Sequence, residues 1–192
     1  GKDELKKENL DALKKGIPNL ERHVQNIKKF GLEVTVAINY FVTDTDKEIK
    51  FIKEQCAQLG VKASLCTHWS DGGIGAKDLA NDVVEICKKS DTSKFKLLYS
   101  DQTPILEKVE KIAKEIYHAK GIEIEETVKE QVKKIEQAGF GKFPVCIAKT
   151  QYSFSTDPKL KGAPSGHTLF IREVRLSSGA EFVVFICGSI MT

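Results

Sequence analysis

The sequence has few arginines and no long apolar run, and each shortage excludes a class of protein. Only Arg22, Arg172 and Arg175 are arginine among the 30 basic residues. This is a poor match to nucleic-acid readout, which relies on the planar guanidinium group. The net charge is only +3 because 27 acidic residues offset the basic ones, so it argues neither for nor against a polyanionic partner. No apolar stretch approaches the ~20 residues of a membrane-spanning helix. We therefore expect no nucleic-acid partner and no membrane partner.

Patterns that would indicate disulfides, metal binding or triphosphate binding are also missing. The five cysteines are widely spaced, odd in number and without a C-x-x-C pair, which predicts buried, reduced thiols in a cytoplasmic protein. No cluster of His, Cys and carboxylate residues has metal-ligand spacing, so we expect no metal site. No G-x-x-x-x-G-K-[ST] element occurs. The sequence alone therefore has no recognisable triphosphate-binding loop.

The first half of the chain alternates helix and strand patterns, as in a parallel α/β sheet. Apolar residues at three- and four-residue intervals predict a helix over 3–29, with a break near Pro18. Continuous apolar and β-branched runs at 34–39 and 61–66 predict strands that are covered on both faces. Between them, Thr45 and the glutamate three residues later predict a capping box at the start of a helix.

The rest of the chain is predicted to contain helices first and strands last. The further predicted elements are a helix through 79–86, a third short strand at 95–99, helices over 104–117 and 125–138, a strand at 144–149, and two strands at 169–176 and 181–190 joined by a turn at 177–179. The predicted fold class is α/β, with a parallel-sheet, Rossmann-like β-α-β core and a β-rich C-terminal end. We divide the chain into a β-α-β-α part, residues 1–100, and a part that is helical and then β-rich, residues 101–192.

Two of the predicted strands end in aromatic residues that suit a flat ligand. Phe41 follows the first strand and Trp69 follows the second, so both should reach the carboxyl rim of the sheet, where ligands bind in open parallel sheets. Two rings there would sandwich a heterocycle, and the alternative is that each ring caps the core under a helix. His68 is the one histidine that we place near this rim. The glycines of Gly72-Gly73-x-Gly75 either aim N–H groups at a phosphate or make a tight turn.

Other polar residues near strands have open roles. Asn39 ends an apolar strand, as in the base-reading Asn-Lys-x-Asp element of GTP-binding proteins, but the residues after it match poorly and helix capping explains the segment. Lys149 and Gln151 follow a buried strand and belong either to a site or to a polar turn. Arg172 and Arg175 lie three apart in one predicted strand, so they face opposite sides and cannot form a single clamp.

Four groups of residues carry a resemblance over essentially the whole chain. They are Asn39-x-Phe41-x-Thr43-Asp44-Thr45-Asp46-x-Glu48, Trp69-x-x-Gly72-Gly73-x-Gly75, the run from Pro144 to Ser153, and the run from Arg172 to Ser177. In order and spacing they resemble the formate–tetrahydrofolate ligases. The chain departs from that pattern at Phe170, where proline is usual, and at Glu181, where glycine is usual.

The resemblance implies the C-terminal portion of a larger P-loop-type ligase. Such an enzyme makes 10-formyltetrahydrofolate from formate and tetrahydrofolate with ATP, in one-carbon metabolism. The resemblance implies that Phe41, Leu65 and Trp69 line the pocket that stacks the pterin. We place the remaining residues of interest at the rim of that pocket: Asn39, His68, Gly72 and Gly73.

The resemblance also implies what this chain needs from elsewhere. MgATP and a monovalent cation serve the complete enzyme, and most residues that handle phosphate and formate lie in a larger N-terminal P-loop portion. We therefore expect no catalytic residue in this fragment, and no activity without that portion. Family members are typically homotetramers, which predicts a homo-oligomer. The alternative from another class is a non-catalytic interaction or oligomerisation module with the same fold, indifferent to folate.

Overall fold

The computed structural model describes residues 6–149 and 153–188 and divides the chain into two compact units, Gly1–Lys96 and Leu97–Thr192. The first unit is built from α1 (Leu10–Lys29), β1 (Thr35–Asn39), α2 (Asp46–Gln58), β2 (Lys62–Cys66), α3 (His68–Asp71) and α4 (Lys77–Lys89), with 3₁₀ turns at Gly72–Ala76 and Thr92–Lys94. Within the described residues, no helix is long and apolar enough to span a bilayer.

The strands β1 and β2 pair in parallel, which confirms the predicted β-α-β order of the first unit. Their register runs from Thr35 opposite Lys62 to Asn39 opposite Cys66. One face of this pair packs on α1 and α2 through a small core around Val24, with Val36 and Ala63 as the strand residues in contact with it. Since side chains alternate along a strand, the neighbouring strand residues face the other side, toward α4.

Two predictions for the first unit were wrong. Helix α1 continues through Pro18 rather than breaking there, because residues before and after it, Ile17 and Val24, are buried on one packed face and tertiary packing outweighs the loss of one helical hydrogen bond. The segment 95–99 is not a strand. It is irregular, and Lys96 N donates a hydrogen bond to Phe30 O, at the end of α1, at 3.1 Å.

The second unit holds two small sheets. Its elements are α5 (Ile105–Glu115), β3 (Gly121–Ile124), α6 (Glu126–Ile135), β4 (Val145–Ala148), β5 (Thr168–Ile171), β6 (Glu173–Ser177) and β7 (Phe182–Ile186), with a π turn at Glu136–Phe140 and a 3₁₀ turn at Ser178–Ala180. Strands β3 and β5 pair in parallel, while β7 pairs in parallel with β4 and antiparallel with β6. The main core lies among α5, α6 and these strands, around Ile105, Val109 and Phe185.

The predicted single strand at 169–176 is two strands that belong to different sheets. The chain changes sheets at Arg172, whose N–H donates to Ile186 O at 3.0 Å. Arg172 falls between β5 and β6, so the prediction that Arg172 and Arg175 lie in one strand was wrong. Glu181, where the family usually has glycine, adopts the left-handed φ of 58° just before β7, a conformation that glycine adopts without strain.

The five cysteines are free thiols, but not all of them are buried. Cys56, Cys66 and Cys187 are buried, whereas Cys87 and Cys146 are exposed. The sequence-based expectation that all five lie inside was wrong for these two, because each sits on the outward side of an amphipathic element. Burial raises the pKa of the Cys187 thiol to about 12, so this thiol stays protonated at neutral pH.

Candidate functional site

Phe41 stands in a tight turn immediately after β1. The pairing of the strands extends one residue beyond β1, because Tyr40 N donates to Cys66 O at 3.1 Å. The turn is then fixed from both sides: Phe41 N donates to the Asp44 carboxylate at 2.8 Å, and Asp44 N donates to Phe41 O at 2.8 Å. The residue as a whole is 55% exposed. The backbone is therefore held while the aromatic surface is left open.

Trp69 is attached to the same rim by its indole nitrogen. It lies in the short helix α3, and its Nε1 donates to Tyr40 O at 2.7 Å. The indole is thus anchored to the peptide group that precedes Phe41, with its only polar atom satisfied. The residue is 54% exposed. Neither Trp69 nor Phe41 is covered by a helix of the first unit, and the two aromatic residues meet at the carboxyl ends of adjacent parallel strands.

The glycine-rich turn that follows α3 has one glycine that the packing requires. A Cβ on Gly75 would lie 2.6 Å from both the carbonyl carbon and Oγ1 of Thr67, closer than any real contact. Gly72 and Gly73 face open space at the exposed rim, and Gly72 has a φ of +62°. Thr67 N donates to Gly75 O at 3.0 Å, so the turn folds back on the end of β2 and supports α3.

Asp71 locks the same turn from its other end. Its carboxylate accepts hydrogen bonds from Thr67 Oγ1 at 2.6 Å and from Ser70 Oγ at 3.0 Å. These hydroxyls lower the pKa of Asp71. The residue before Trp69, His68, begins α3 and is exposed.

Leu65 and Phe41 line different grooves of the first unit. Leu65 is half-buried in β2, beside Ile38 of β1, and lines a groove of about 300 Å³ at the outer edge of β2. Phe41 and Asn39 line a groove of about 410 Å³ along β1. The described residues therefore bring Phe41 and Trp69 to one rim, with Asn39 at its base, and place Leu65 on the strand beneath it.

The sequence analysis did not single out a buried carboxylate on the other face of the sheet. Asp82 of α4 is 6% exposed and accepts hydrogen bonds from Lys62 Nζ and Ser64 Oγ of β2. The bond from Lys62, followed by that from Ser64, lowers the pKa of Asp82, and Asp82 in turn raises the pKa of Lys62. Lys62 and Ser64 lie two apart in a strand, which is the signal that they share a face.

The second unit contains the other polar residues whose roles the sequence left open. Lys149 follows β4, donates to Ser153 O, and holds its ammonium group 5.4 Å from the centroid of the Tyr117 ring. Burial lowers the pKa of Lys149. Arg175 Nε pairs with Glu173 Oε1 of its own strand at 2.5 Å, and this pair lies at the surface. Gln151 lies outside the described residues.

Within the part of the chain that the structure describes, no group of three or more His, Cys, Asp or Glu residues could hold a metal ion. The acidic side chains nearest to the aromatic rim, Asp44 and Asp71, are each occupied by backbone or hydroxyl donors. The rim thus presents aromatic and backbone groups rather than a set of metal ligands.

Comparison with known proteins identifies the family. The model of the formate–tetrahydrofolate ligase family matches residues 1–192. The chain belongs to the formate–tetrahydrofolate ligase family. It is 60% identical over 191 residues to the formate–tetrahydrofolate ligase of Pelagibacter ubique, covering 100% of this chain and 34% of that protein. The predicted family is confirmed.

Other formate–tetrahydrofolate ligases give the same picture. The Sinorhizobium fredii ligase is 54% identical over 191 residues, which is 100% of this chain, and the Beijerinckia indica ligase is 55% identical over 190 residues, which is 98% of it. In both cases the alignment covers 34% of the relative. The chain therefore spans about a third of the length of the ligases it matches. The alternative of a folate-independent interaction module gains no support from these relatives.

Proposed function

We propose that this chain supplies the tetrahydrofolate-binding side of a formate–tetrahydrofolate ligase, with the pterin ring stacked between Phe41 and Trp69. The observation that carries the proposal is the 2.7 Å hydrogen bond from Trp69 Nε1 to Tyr40 O. This bond ties one exposed aromatic side chain to the backbone beside the other. Leu65 lies under the stacked pterin, and the rim around it is formed by Asn39, His68, Gly72 and Gly73.

The exposure of the two rings fits a flat aromatic ligand. The residues Phe41 and Trp69 are 55% and 54% exposed to solvent, although burial of large aromatic surface is strongly favourable. The polar atom of Trp69 is already bonded within the protein, so a ligand that stacks on the exposed part of this residue leaves no indole N–H unpaired. The pyrimidinone half of the reduced pterin is planar and hydrogen-bonds only at its edges, so such rings can cover its faces without leaving a buried polar atom unpaired.

The complete ligase performs chemistry that this chain serves only by holding the folate. ATP phosphorylates formate, which gives formyl phosphate and ADP. N10 of tetrahydrofolate then attacks the formyl carbon, phosphate leaves, and the nitrogen loses its proton. Holding the acceptor beside a reactive mixed anhydride converts an encounter in solution into a step within one complex. We assign ATP, its Mg²⁺ and the monovalent cation to the rest of the ligase, with its P-loop.

Three broader features belong to the same proposal. In the complete ligase, β1 and β2 form part of a larger Rossmann-like parallel sheet, since two parallel strands alone leave both edges without partners. The ligase assembles as a homotetramer, on the family resemblance. It acts in the cytoplasm, which is consistent with five free thiols.

Tryptophan fluorescence tests the pocket directly, because Trp69 is the chain's one tryptophan. Titration of the 192-residue chain with tetrahydrofolate, under anaerobic and reducing conditions, should quench its emission to saturation. Phe41→Ala should weaken the quenching, because the pterin loses one stacking partner, and Phe95→Ala should not. Phe95 is a matched control, since it is an exposed phenylalanine of the same unit, at 49%. Free N-acetyltryptophanamide corrects for absorption of light by folate.

Either of two outcomes would contradict the assignment. Equal quenching in Phe41→Ala and Phe95→Ala would remove Phe41 from the pocket. An emission that does not respond to tetrahydrofolate would remove Trp69 from it.

A further inference from the structure

We infer that the free edge of β1 is the place where this sheet continues in the complete ligase, and that its occupant is a β-strand that precedes α1 there and runs parallel to β1. The inference rests on the proposal that the chain works as part of a complete ligase. It concerns the backbone edge of β1 and the helix side chains beside it, a groove that shares Asn39 and Phe41 with the proposed folate pocket at one end.

The edge of β1 opens into a groove. Four consecutive residues, 36–39, line the groove of about 410 Å³. Consecutive side chains point to opposite faces of a strand, so all four can line one groove only if the groove runs along the edge. Because Tyr40 N donates toward β2 and hydrogen-bonding directions alternate along a strand, the N–H groups of Ala37 and Asn39 point into the groove. Among the described residues, β1 pairs with β2 alone.

The lining of this groove is apolar where a strand would lie. Helix α1 contributes Leu13 and Leu20, and helix α2 contributes Ile49 and Ile52. Its acidic residues, Asp44 and Glu48, lie at one end and already accept backbone hydrogen bonds. No lysine or arginine is found in this lining, as far as the described residues go.

The outer edge of β2 is protected in the opposite way. Besides the strand residues Ala63, Ser64 and Leu65, the groove there is lined by charged and polar side chains: Lys53, Lys62, Asp78, Asn81 and Asp82. Natural sheets protect their true edges with charged side chains, lysine above all, because an open edge is a template for pairing with another chain. The contrast between the two edges indicates that β2 ends the sheet and that β1 does not.

The handedness of the connections selects the same edge. Helices α1 and α2 pack on one face of the strand pair, through Val24 and Cys56, while α4 contacts the other face through Asp82. Parallel β-α-β crossovers are right-handed. Helix α2 connects β1 to β2 across one face of the sheet. Helix α1 lies on that same face, so a right-handed crossover from a preceding strand through α1 to β1 places that strand on the side of β1 away from β2.

The relatives are long enough to supply the neighbouring strand. The chain covers 34% of its 60%-identical relative, so most of a complete ligase is available to supply the strand. A strand inserted beside β1 would be covered on both faces. We therefore expect its sequence to be a continuous apolar and β-branched run of roughly four to eight residues, followed by a short connection to α1.

Hydrogen exchange on a hybrid ligase tests the inference. The hybrid ligase is the Pelagibacter ubique protein in which this chain replaces the 191 matched residues. We expect the amides of Ala37 and Asn39 to exchange slowly in the hybrid ligase, on the order of 100-fold slower than in the 192-residue chain. The amides of Ala63 and Leu65, on the outer edge of β2, are the matched control and should exchange fast in both proteins.

The outcomes distinguish a strand of the complete ligase from a second copy of the chain as the occupant of the β1 groove. Equal exchange at Ala37 and Ala63 in the hybrid ligase would overturn the inference, whatever happens to folate binding. Protection of Ala37 in the 192-residue chain alone, rising with concentration and accompanied by a doubled mass, would assign the groove to a second copy and also overturn it. Exchange is measured without folate, so the result stands apart from the success or failure of the pterin pocket.

A pair of proline variants provides a second readout. Proline removes an N–H group and is tolerated on an edge strand whose N–H faces outward. Ala37→Pro should lower the unfolding temperature of the hybrid ligase but not that of the 192-residue chain, because only the hybrid contains the neighbouring strand. Ala63→Pro, on the opposite edge, should shift both proteins alike. Equal shifts of the hybrid ligase by the two substitutions would count against a strand beside β1.

Discussion

At the scale of single residues, buried charges in the two units are stabilised in different ways. Asp82 is 6% exposed and is matched by a lysine and a hydroxyl of β2. Lys108 is fully buried, and its ammonium donates to Gly141 O at 3.0 Å and Phe143 O at 2.9 Å. Within the described part of the chain, it forms no salt bridge with a carboxylate. Burial lowers the pKa of Lys108, and the more distant charges of Asp101 and Glu136 oppose that effect. Backbone carbonyl oxygens therefore stabilise the buried ammonium group of Lys108.

The sequence did not indicate either of these buried charges, and the reason is general. A lysine or aspartate on an amphipathic helix is read as solvent-facing unless its partners are known. Those partners lie far away in sequence: Ser64 and Asp82 are 18 residues apart, and Lys108 and Phe143 are 35 apart. In contrast, Phe41 and Trp69 could be placed at one rim, because parallel pairing follows from the β-α-β order. The hydrogen bond from Trp69 to Tyr40 could not be predicted from the sequence, since it depends on the orientation of α3.

The Asp82 contacts predict a pH dependence of stability. Since Lys62 and Ser64 lower the pKa of Asp82 below its ordinary value of 3.8, its stabilising effect is complete above that value and is lost as the pH falls through the lower folded pKa. Asp82→Asn should therefore reduce the urea midpoint at neutral pH and flatten the fall in stability below about pH 4. Circular dichroism during urea unfolding at several pH values measures both.

Asp78→Asn is the matched control for this experiment. Asp78 lies one turn earlier in α4 and is exposed. Its Coulombic effect on Lys62 is the smallest of those that act on that lysine, so its loss should change the midpoint and the pH profile much less than the loss of Asp82. The same response from the two variants would show that Asp82 is not the carboxylate responsible.

At the scale of elements, the starts of α1 and α2 are joined through one glutamate. Glu48 closes the capping box of α2 with Thr45, and its other oxygen accepts from Asn9 N at 2.8 Å at the N-cap of α1. The Asn9 amide is the main reason that the pKa of Glu48 is lowered. The two helices that line the β1 groove are thus fixed to each other at the end where the groove meets Phe41.

Local signals predicted some elements well, and tertiary pairing decided others. The capping box was read correctly from Thr45 and Glu48 because every group involved lies within four residues. The split at Arg172 was missed because the run 169–176 contains no glycine or proline, and only the different partners of β5 and β6 separate them. Strand β3 was missed although Ile122 and Ile124 alternate with Glu123, the period-two signal of a strand.

The capping box gives a prediction for the stability of the first unit. Thr45→Ala removes the side-chain acceptor for Glu48 N and should cost about 1 kcal/mol in the free energy of unfolding. Thr43→Ala is the control, because Thr43 is exposed and precedes the helix. Urea unfolding of both variants measures the difference. Equal free energies for the two would contradict the role of Thr45 as the N-cap.

At the scale of the whole molecule, the chain spans about a third of the length of the ligases it matches, and its first unit has an aromatic rim and an apolar groove at the edge of β1. Both features belong to β1: its carboxyl end leads to Phe41, and its side opens into the apolar groove. A complete ligase would use the edge to extend the sheet and the rim to hold folate. The proposed reaction is inferred from the family resemblance. The proposed position of the pterin, between Phe41 and Trp69, is supported by the hydrogen bond that joins Trp69 to Tyr40.

The affinity of the hybrid ligase for tetrahydrofolate tests this account most directly. Equilibrium dialysis under anaerobic conditions would compare the unsubstituted hybrid ligase with Phe41→Ala, Trp69→Ala and the control Phe95→Ala. We predict that the first two substitutions raise the Kd at least about tenfold, or roughly 1.4 kcal/mol each, while the control changes it less than about twofold. ATP affinity should be the same in all four proteins. A single tetrahydrofolate Kd shared by all four would contradict the assignment of the pterin to Phe41 and Trp69.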